Sequence, residues 1–591
     1  MQTEKKLTGY PSIDKTHLSG LKYFERHPII PNLSISNAID LMFMFSGEKP
    51  VIDCLDLQVT HKQFKEDGII LAKAFLQLGI KAGDIIAVSM PNFYQAIAVF
   101  KAANRIGAIV TFLNPYASDD ELIRYLEKYD APILINYDKD QEYNASIKAK
   151  SKVHYIINLQ KNKLSSRAFN KEDVAFDIKT PFLSYHNLGL VADRWKKRIK
   201  TNYGSKQDAL ILYTSGSTGE PKSLLFTNEN LLAALLYLKN STHQTKTTAE
   251  NRRWMGVVPF MYPYGFCCSI LVPIFVGGEA VLAPDINPDN VAEYYAKKPY
   301  LIFGSPAFLE LTKRNLPDDL MFPTLKLFVS GGDFLSVSQS RDGIEFFAQH
   351  GATVEICNGS GNGETLGCST NSMNIPYRPE TVGQLVVGPD YVVLNPETKE
   401  EVKYGESGVL CTSGKHVFKG YYKDEKETEK VMVTFNGKKY YYTGNYGVLG
   451  TDRYFTMIGR ATRFYITYTL NKVYCELVQN IVADIDIVDA CAVVPKPDKE
   501  ALFKSKAYVV LKPGVKASDG TEKYIIEKSM EPHFDQNSGE NITLKEYEAP
   551  TSVTFIDQLP RTDSAEKINY ELLRRMAEEE YKKEIGEYRS D

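Results

Sequence analysis

The sequence predicts an α/β protein: a large N-terminal domain of parallel α/β subdomains plus a β-rich subdomain, followed by a small α+β C-terminal domain. Three observations carry this. Strand-like and helix-like segments alternate from the N-terminal region to Asn136, which implies a parallel sheet covered by helices. Between Thr381 and Gly459 the alternation shortens and turn residues multiply, as in antiparallel β structure. Beyond Arg460 the chain has helices and strands of its own, enough for a separate small domain.

Taken in order, Asp84–Met90 reads as a buried strand and Gln95–Ala108 as a helix ending near Gly107. Ile109–Leu113 is the next strand. Ser118–Ala131 is an amphipathic helix, with Ser118 as N-cap and Glu121 three residues on. Pro132–Asn136 is a further strand. The pattern weakens between Lys161 and Asp208, where the run Arg194–Lys200 reads as a solvated helix face. Asn228–Leu238 reads as a helix, and Lys239–Arg253 as a polar surface loop. In the last part, "VYCELVQNIVADI" reads as a helix and "KAYVVLKPG" as a strand.

Bulk properties exclude several classes. The 591 residues are 43% hydrophobic and 24% charged, an ordinary globular balance. Lys and Arg number 70 against 73 Asp and Glu, so no field of one sign favours nucleic acid. The eight cysteines contain no C-x-x-C pair, which argues against structural zinc or a disulfide framework. The polar N-terminus is not a secretory signal. The longest apolar stretch, Ser269–Ala283, is too short to span a membrane and contains Glu279. A cytoplasmic protein is expected.

The segment "YTSGSTGEPKS" (Tyr213–Ser223) follows the apolar run Ala209–Leu212. Small residues let backbone N–H groups converge on phosphate oxygens, and hydroxyls and Lys222 add donors. Gly216–Ser223 nearly fits the P-loop pattern G-x-x-x-x-G-K-[ST]. Pro221 breaks the match, because it has no N–H, and a strand-like "SLLFTN" follows where a helix is required. A different phosphate cradle and a plain surface turn both stay open on this segment alone.

Other segments narrow the choice. "YTSGSTGEPK" resembles the phosphate-binding signature of the acyl-adenylate-forming (AMP-binding) superfamily, which includes acyl-CoA synthetases, peptide-synthetase adenylation domains and firefly luciferase. "VVPFMYPYGF" (Val257–Phe266), "LFVSGGDFLS" (Leu327–Ser336), "CNGSGNGET" (Cys357–Thr365), "YTGNYGVLGTDRYFTMIGR" (Tyr442–Arg460) and "LPRTDSAEKINYELL" (Leu559–Leu573) resemble further family motifs, in the family's order. "GIKAGDIIAVSMPN" and "GAIVTFLNP" are similar too. The resemblance covers nearly the whole chain.

The resemblance implies an AMP-binding domain over 1–459, a hinge at 460–463 with Arg463, and a small mobile domain over 464–591. It implies a cradle for ATP from Thr214, Ser215, Gly216, Ser217, Thr218, Gly219 and Lys222. Glu364, with Thr218, corresponds to the Mg²⁺ site. Gly331, Gly332, Asp333, Asn358, Gly359 and Ser360 correspond to the adenine site, and Asn445 and Arg460 to the ribose site. Lys567 corresponds to the catalytic lysine, with Lys222 assisting. Tyr262, Phe266 and Gly304 fall in the acyl-substrate pocket.

Departures from the family pattern are several. Asn445 stands for the ribose-binding Asp, Ser360 for the stacking Tyr, Gly363 for a Thr, Tyr262 for a His, and Arg463 for the hinge Asp. Glu566 and Leu470 replace glycines. The Asn445 change implies ATP binding weaker by roughly tenfold, because a charged acceptor gives way to a neutral one. No acidic residue lies between Pro259 and Pro273, which disfavours a free α-amino acid substrate. The implied activity is ATP-dependent activation of a small carboxylic acid, with CoA as the thiol acceptor. A carrier-protein thiol acting in trans and a degenerate member that binds without turnover are the alternatives.

Overall fold

The computed structural model describes residues 7–19, 26, 28–165, 167, 180–201, 203–214, 221–241, 252–332, 335, 337–373, 375–376, 378, 381–460, 464–466, 472–499, 502–535, 540–562 and 567–585. Two large sheets form the N-terminal body. An eight-stranded sheet runs in the order Gly420–Tyr421, Ser223–Thr227, Asp208–Tyr213, Ile109–Phe112, Ile85–Ser89, Ile133–Tyr137, Tyr155–Leu159, Phe182–Ser184. From Asp208–Tyr213 onward every pair is parallel, and the first two pairs are antiparallel. A seven-stranded sheet is parallel except where Pro50–Cys54 meets Leu57–Thr60. Both are the covered parallel sheets that the alternating pattern predicts, each with an antiparallel edge.

The helix Tyr94–Arg105 explains how the two halves join. All 12 of its residues are buried, so it is a core element rather than an amphipathic surface helix. Its two charges are compensated. Lys101 Nζ lies 2.7 Å from Asp40, and Arg105 pairs with the same carboxylate. Burial nonetheless pulls the Lys101 ammonium down to about 8. On the surface, Ser118 caps Asp119–Tyr129 by accepting the Glu121 N–H at 3.3 Å.

One expectation is corrected. Arg194–Lys200 is no helix face: the helix Leu188–Ala192 has ended, and an irregular segment follows. Lys197 lies over the Trp195 ring and Lys200 over Tyr203.

The β-rich subdomain is an antiparallel sheet of five strands, centred on the long strand Lys438–Leu449. The C-terminal part packs the helices Cys475–Ala483 and Tyr570–Glu584 on the strands Val488–Asp498, Leu502–Leu511 and Pro550–Phe555. Numbering only the strands that carry the site, β1 is Asp208–Tyr213, β2 Ser223–Thr227, β3 Leu301–Gly304, β4 Leu327–Ser330, β5 Glu355–Asn358, β6 Gly420–Tyr421, β7 Lys438–Leu449 and β8 Phe455–Arg460.

Candidate active site

A cavity of about 1390 Å³ opens where the two large sheets, the β-rich subdomain and the C-terminal domain meet. One wall grows from the neck between β1 and β2. These strands pair antiparallel, with Tyr213 opposite Ser223. Thr214 N–H donates to the Lys222 carbonyl, and Lys222 N–H donates to Thr214 Oγ1, both at 3.0 Å. Beneath the neck runs a chain of buried hydroxyls. Thr111 Oγ1 and Tyr213 Oη are 2.9 Å apart, Tyr213 donates to Tyr129 at 2.9 Å, and Tyr129 lies 2.7 Å from Ser223 Oγ. Lys128 Nζ donates to the same Ser223 oxygen at 2.7 Å. Tyr213 and Ser223, on the two sides of the neck, are thus held from below. Ser215, Gly216, Ser217, Thr218 and Gly219 lie outside the described residues.

Lys222 faces the cavity with its charge engaged. Its Nζ is 2.7 Å from Glu427 Oε2 and 5.0 Å from the centre of the Tyr421 ring. Lys430 pairs with the other Glu427 oxygen. Hydrogen bonds from the two lysines hold the Glu427 carboxyl down to about 2.

Glu364 also lines the cavity, 7% exposed, in the short turn Gly363–Thr365. The turn is capped by Asn362, whose backbone and side chain exchange bonds with Thr365. Tyr421 Oη donates to Glu364 Oε1 at 2.6 Å. Burial, then the neighbouring carboxylate, pushes the Tyr421 phenol far up, so it remains a donor.

The opposite wall is backbone. β4 runs into Gly331 and Gly332, and β5 ends at Asn358. A Cβ on Gly331 stands 2.9 Å from Tyr264 Cζ, and Gly332 has φ +86°, so both positions require glycine. Asn358 and Gly359 face the cavity with them. Asp333 lies outside the described residues.

Ser360 and Asn445 are corrected in placement. Both sit behind the wall that Gly359, Gly361, Thr443, Gly444 and Arg460 present to the cavity. They touch each other: Asn445 Nδ2 donates to Ser360 Oγ at 2.9 Å. Asn362 sets the orientation. Its Nδ2 donates to the Thr443 carbonyl at 2.8 Å, which turns its Oδ1 toward Asn445 Nδ2 at 3.4 Å. Asn445 Oδ1 is left buried with no partner among the described residues. A buried unpaired acceptor costs about 1–3 kcal/mol. Arg460 lies opposite Asn445 across β7 and β8 and donates Nη1–H to the Thr443 carbonyl at 3.2 Å.

The apolar end is lined by Tyr262, Tyr264, Cys268, Phe303, Val329 and Leu311. Tyr264 Oη points its hydrogen at the Val329 carbonyl, 3.0 Å away, with the Gly304 carbonyl at 3.3 Å. Phe266 is corrected: it is fully buried, 4.8 Å from Phe100 and 5.2 Å from Phe112 between ring centres, in the core behind the pocket. Gly304 is corrected too. Its missing side chain makes room for Phe328 and Phe308, and its neighbours Phe303 and Ser305 face the cavity.

The C-terminal domain closes the site with Lys567. Its Cε is 3.9 Å from where a Gly332 Cβ stands. The Lys567 carbonyl accepts the Thr562 N–H at 2.8 Å, and Arg561 bridges to Ile568. Lys222, Glu364, Gly332, Arg460 and Lys567 therefore share one cavity. Arg463, Glu566 and Leu470 lie outside the described residues. Tyr421, Glu427 and Asn362 are site residues that sequence reasoning missed. Nothing in the periodicity of "KGYYKDEKETEK" marks the first two.

The model of the AMP-binding enzyme family matches residues 45–422, and that of the AMP-binding enzyme C-terminal domain matches residues 477–566. The chain belongs to the AMP-binding enzyme family. This AMP-binding enzyme shares 26% identity over 567 residues with the long-chain-fatty-acid–CoA ligase of Bacillus subtilis, covering 93% of this chain and 95% of that one. Its fold matches the anthranilate CoA ligase AuaEII in complex with anthranoyl-AMP, with TM-score 0.78, 19% identity, and 94% and 99% of the two chains covered. ATP-bound MatB from Rhodopseudomonas palustris gives TM-score 0.75 at 21% identity, covering 92% and 99%.

Among the described residues no group of three or more His, Cys, Asp or Glu gathers to hold a metal. Of the cavity-facing carboxylates Asp285, Glu364 and Glu571, Glu364 shares Tyr421 as a neighbour with Lys222, and one such carboxylate suits Mg²⁺, which keeps waters and phosphate oxygens as ligands. All eight cysteines are buried and free, and none belongs to a metal cluster among the described residues. No helix among the described residues is long and apolar enough to cross a membrane.

Proposed function

We propose that this enzyme activates an apolar or aromatic carboxylic acid with ATP, releasing pyrophosphate, and passes the acyl group to the thiol of CoA. The observation that carries the proposal is the convergence of Lys567, from the C-terminal domain, with Lys222 and Glu364 around one cavity. Carboxylate and triphosphate repel, so the reaction needs cations and in-line positioning more than acid–base chemistry.

In the first step a carboxylate oxygen of the acid attacks the α-phosphorus of ATP. The bond from that phosphorus to the bridging oxygen breaks, and pyrophosphate leaves with the electron pair. Lys567 stabilises the negative charge growing on the α-phosphate oxygens. Lys222 leaves Glu427 for the β- and γ-phosphates. Glu364 would hold Mg²⁺, which would supply charge neutralisation at the phosphates. Gly331 and Gly332 pass the adenine flat along the backbone, Asn358 meets its edge, and Arg460 meets the ribose, with Asn445 behind the wall opposite it. In the second step the CoA sulfur attacks the acyl carbonyl carbon and AMP departs. The C-terminal domain turns about residues 460–463 between the steps.

The acyl assignment rests on the lining. Tyr264 has its hydrogen directed to backbone, and its ring, with Tyr262, Phe303 and Leu311, offers apolar surface to the acid. Nothing in Pro259–Pro273 carries a negative charge to pair an α-amino group. That the B. subtilis relative is named for a fatty acid, and the AuaEII structure for anthranilate, supports the same class.

The test is pyrophosphate release with a panel of aliphatic, aromatic and amino acids, followed by addition of CoA. Release with apolar acids and a CoA thioester as product is expected. No release with any acid, despite measurable ATP binding, overturns the proposal. Release with a thioester formed only on a phosphopantetheinyl carrier overturns the choice of acceptor.

A further inference from the structure

We propose that Tyr421 is a positioning residue that holds the Glu364 carboxylate and the Lys222 ammonium in one fixed relation, so that the metal and triphosphate contacts form together. The inference rests on the assignment of Glu364 to Mg²⁺ under the proposed function.

Strand register places the residue. β6 pairs antiparallel with β2, with Tyr421 opposite Leu224 and Gly420 opposite Leu225. The pairing continues past the strand end, where Tyr422 N–H donates to the Ser223 carbonyl at 2.8 Å. Tyr421 is therefore tied to the segment that begins at Lys222, and its ring lies under that ammonium, 5.0 Å away. One further bond and one ring contact hold it: Tyr421 N–H donates to Thr428 Oγ1 at 2.9 Å, and the ring meets Phe418 edge-on at 5.0 Å between centres. Phe418 N–H in turn donates to the Glu364 carbonyl at 2.8 Å. One strand segment thus grips Glu364 through its backbone and through its side chain.

A carboxylate has two oxygens and rotates freely unless one is held. The Tyr421 hydroxyl holds Oε1 at 2.6 Å, and the Tyr441 phenol, also in the cavity wall, bonds the same carboxylate. A carboxylate fixed in this way presents its lone pairs in set directions, as a small octahedral cation requires. Partners of this kind, one shell out from a metal, orient the ligand and set affinity. The same ring keeps Lys222 on the side where the phosphates bridge the two contacts. Tyr421→Phe removes the hydroxyl and keeps the ring, so it separates the two roles.

The experiment measures binding of α,β-methylene-ATP, which cannot transfer its adenylyl group, by calorimetry across a Mg²⁺ series, with Mn²⁺ binding read by electron paramagnetic resonance. Wild type, Tyr421→Phe and Glu364→Gln are compared in the same full-length chain. Tyr421→Phe is expected to raise the half-saturating Mg²⁺ about tenfold. Its affinity for the analogue in EDTA is expected to stay at the wild-type value, because the Lys222 contact survives. Unchanged Mg²⁺ dependence in Tyr421→Phe, with a shift in Glu364→Gln, overturns the inference alone. No shift in Glu364→Gln overturns the metal assignment beneath it. Equal loss of analogue affinity with and without metal identifies Tyr421 as a packing residue and also overturns the inference.

Discussion

The two ends of the cavity are built on different principles. At the Lys222 end, Lys222, Glu427 and Glu364 are charged groups, joined through the neutral Tyr421 and set by strand register across β2 and β6. At the nucleoside end, Ser360, Asn362 and Asn445 form a neutral amide–hydroxyl mesh that leaves one buried oxygen unpaired. Charge-assisted contacts contribute about 1.5–3 kcal/mol each and neutral ones about 1. On the proposed assignment, the comparison teaches that ATP is gripped chiefly by its phosphates and its nucleoside is read lightly.

If the charged end governs rate, its removal has the largest effect. Lys567→Ala is expected to slow pyrophosphate release about 10²- to 10³-fold with little change in ATP affinity. Stopped-flow pyrophosphate detection and analogue binding separate the two, and a tenfold loss of affinity instead puts Lys567 among the binding groups. Lys222→Ala is next. Loss of one charge-assisted contact is expected to raise the KM for ATP roughly 10- to 100-fold. An unchanged KM breaks the comparison at its stronger end.

Asn445→Asp tests the weaker end in the opposite direction. The side chain sits behind the wall, so its charge reaches the nucleoside only through Ser360 and Arg460, and the KM for ATP is expected to fall about fivefold at most while kcat holds. A larger fall means that the oxygen itself meets the ribose. Glu427→Gln has the smallest expected effect. It releases Lys222 from a half-exposed pair and is expected to lower the KM for ATP roughly two- to threefold. A higher KM shows that Glu427 supports the bound state.

Sequence and structure agree where function is carried by residues close together in the chain. Thr214, Lys222, Gly331, Gly332, Asn358 and Glu364 all face the cavity, and each lies in a short contiguous motif. The parallel and antiparallel regions were legible from periodicity for the same reason. Asn445 and Ser360 were each visible as departures, yet their contact joins positions 85 residues apart, and no local pattern encodes it. Phe266 shows a second limit. An apolar residue in a pocket motif looks the same whether it faces the substrate or the core, and only packing against Phe100 and Phe112 decides. Tyr421 was invisible because its importance lies in the strand beside it.

With Lys222 as the proposed phosphate contact, its pair with Glu427 makes the site an ion exchanger. Before nucleotide arrives, the protein supplies its own counterion, held from the far side by Lys430. Binding then trades one anion for another and does not bring an anion to a bare cation. Dissolved salt competes with both anions alike. ATP affinity in this enzyme should therefore fall less steeply with ionic strength than the cation count at its phosphate end suggests.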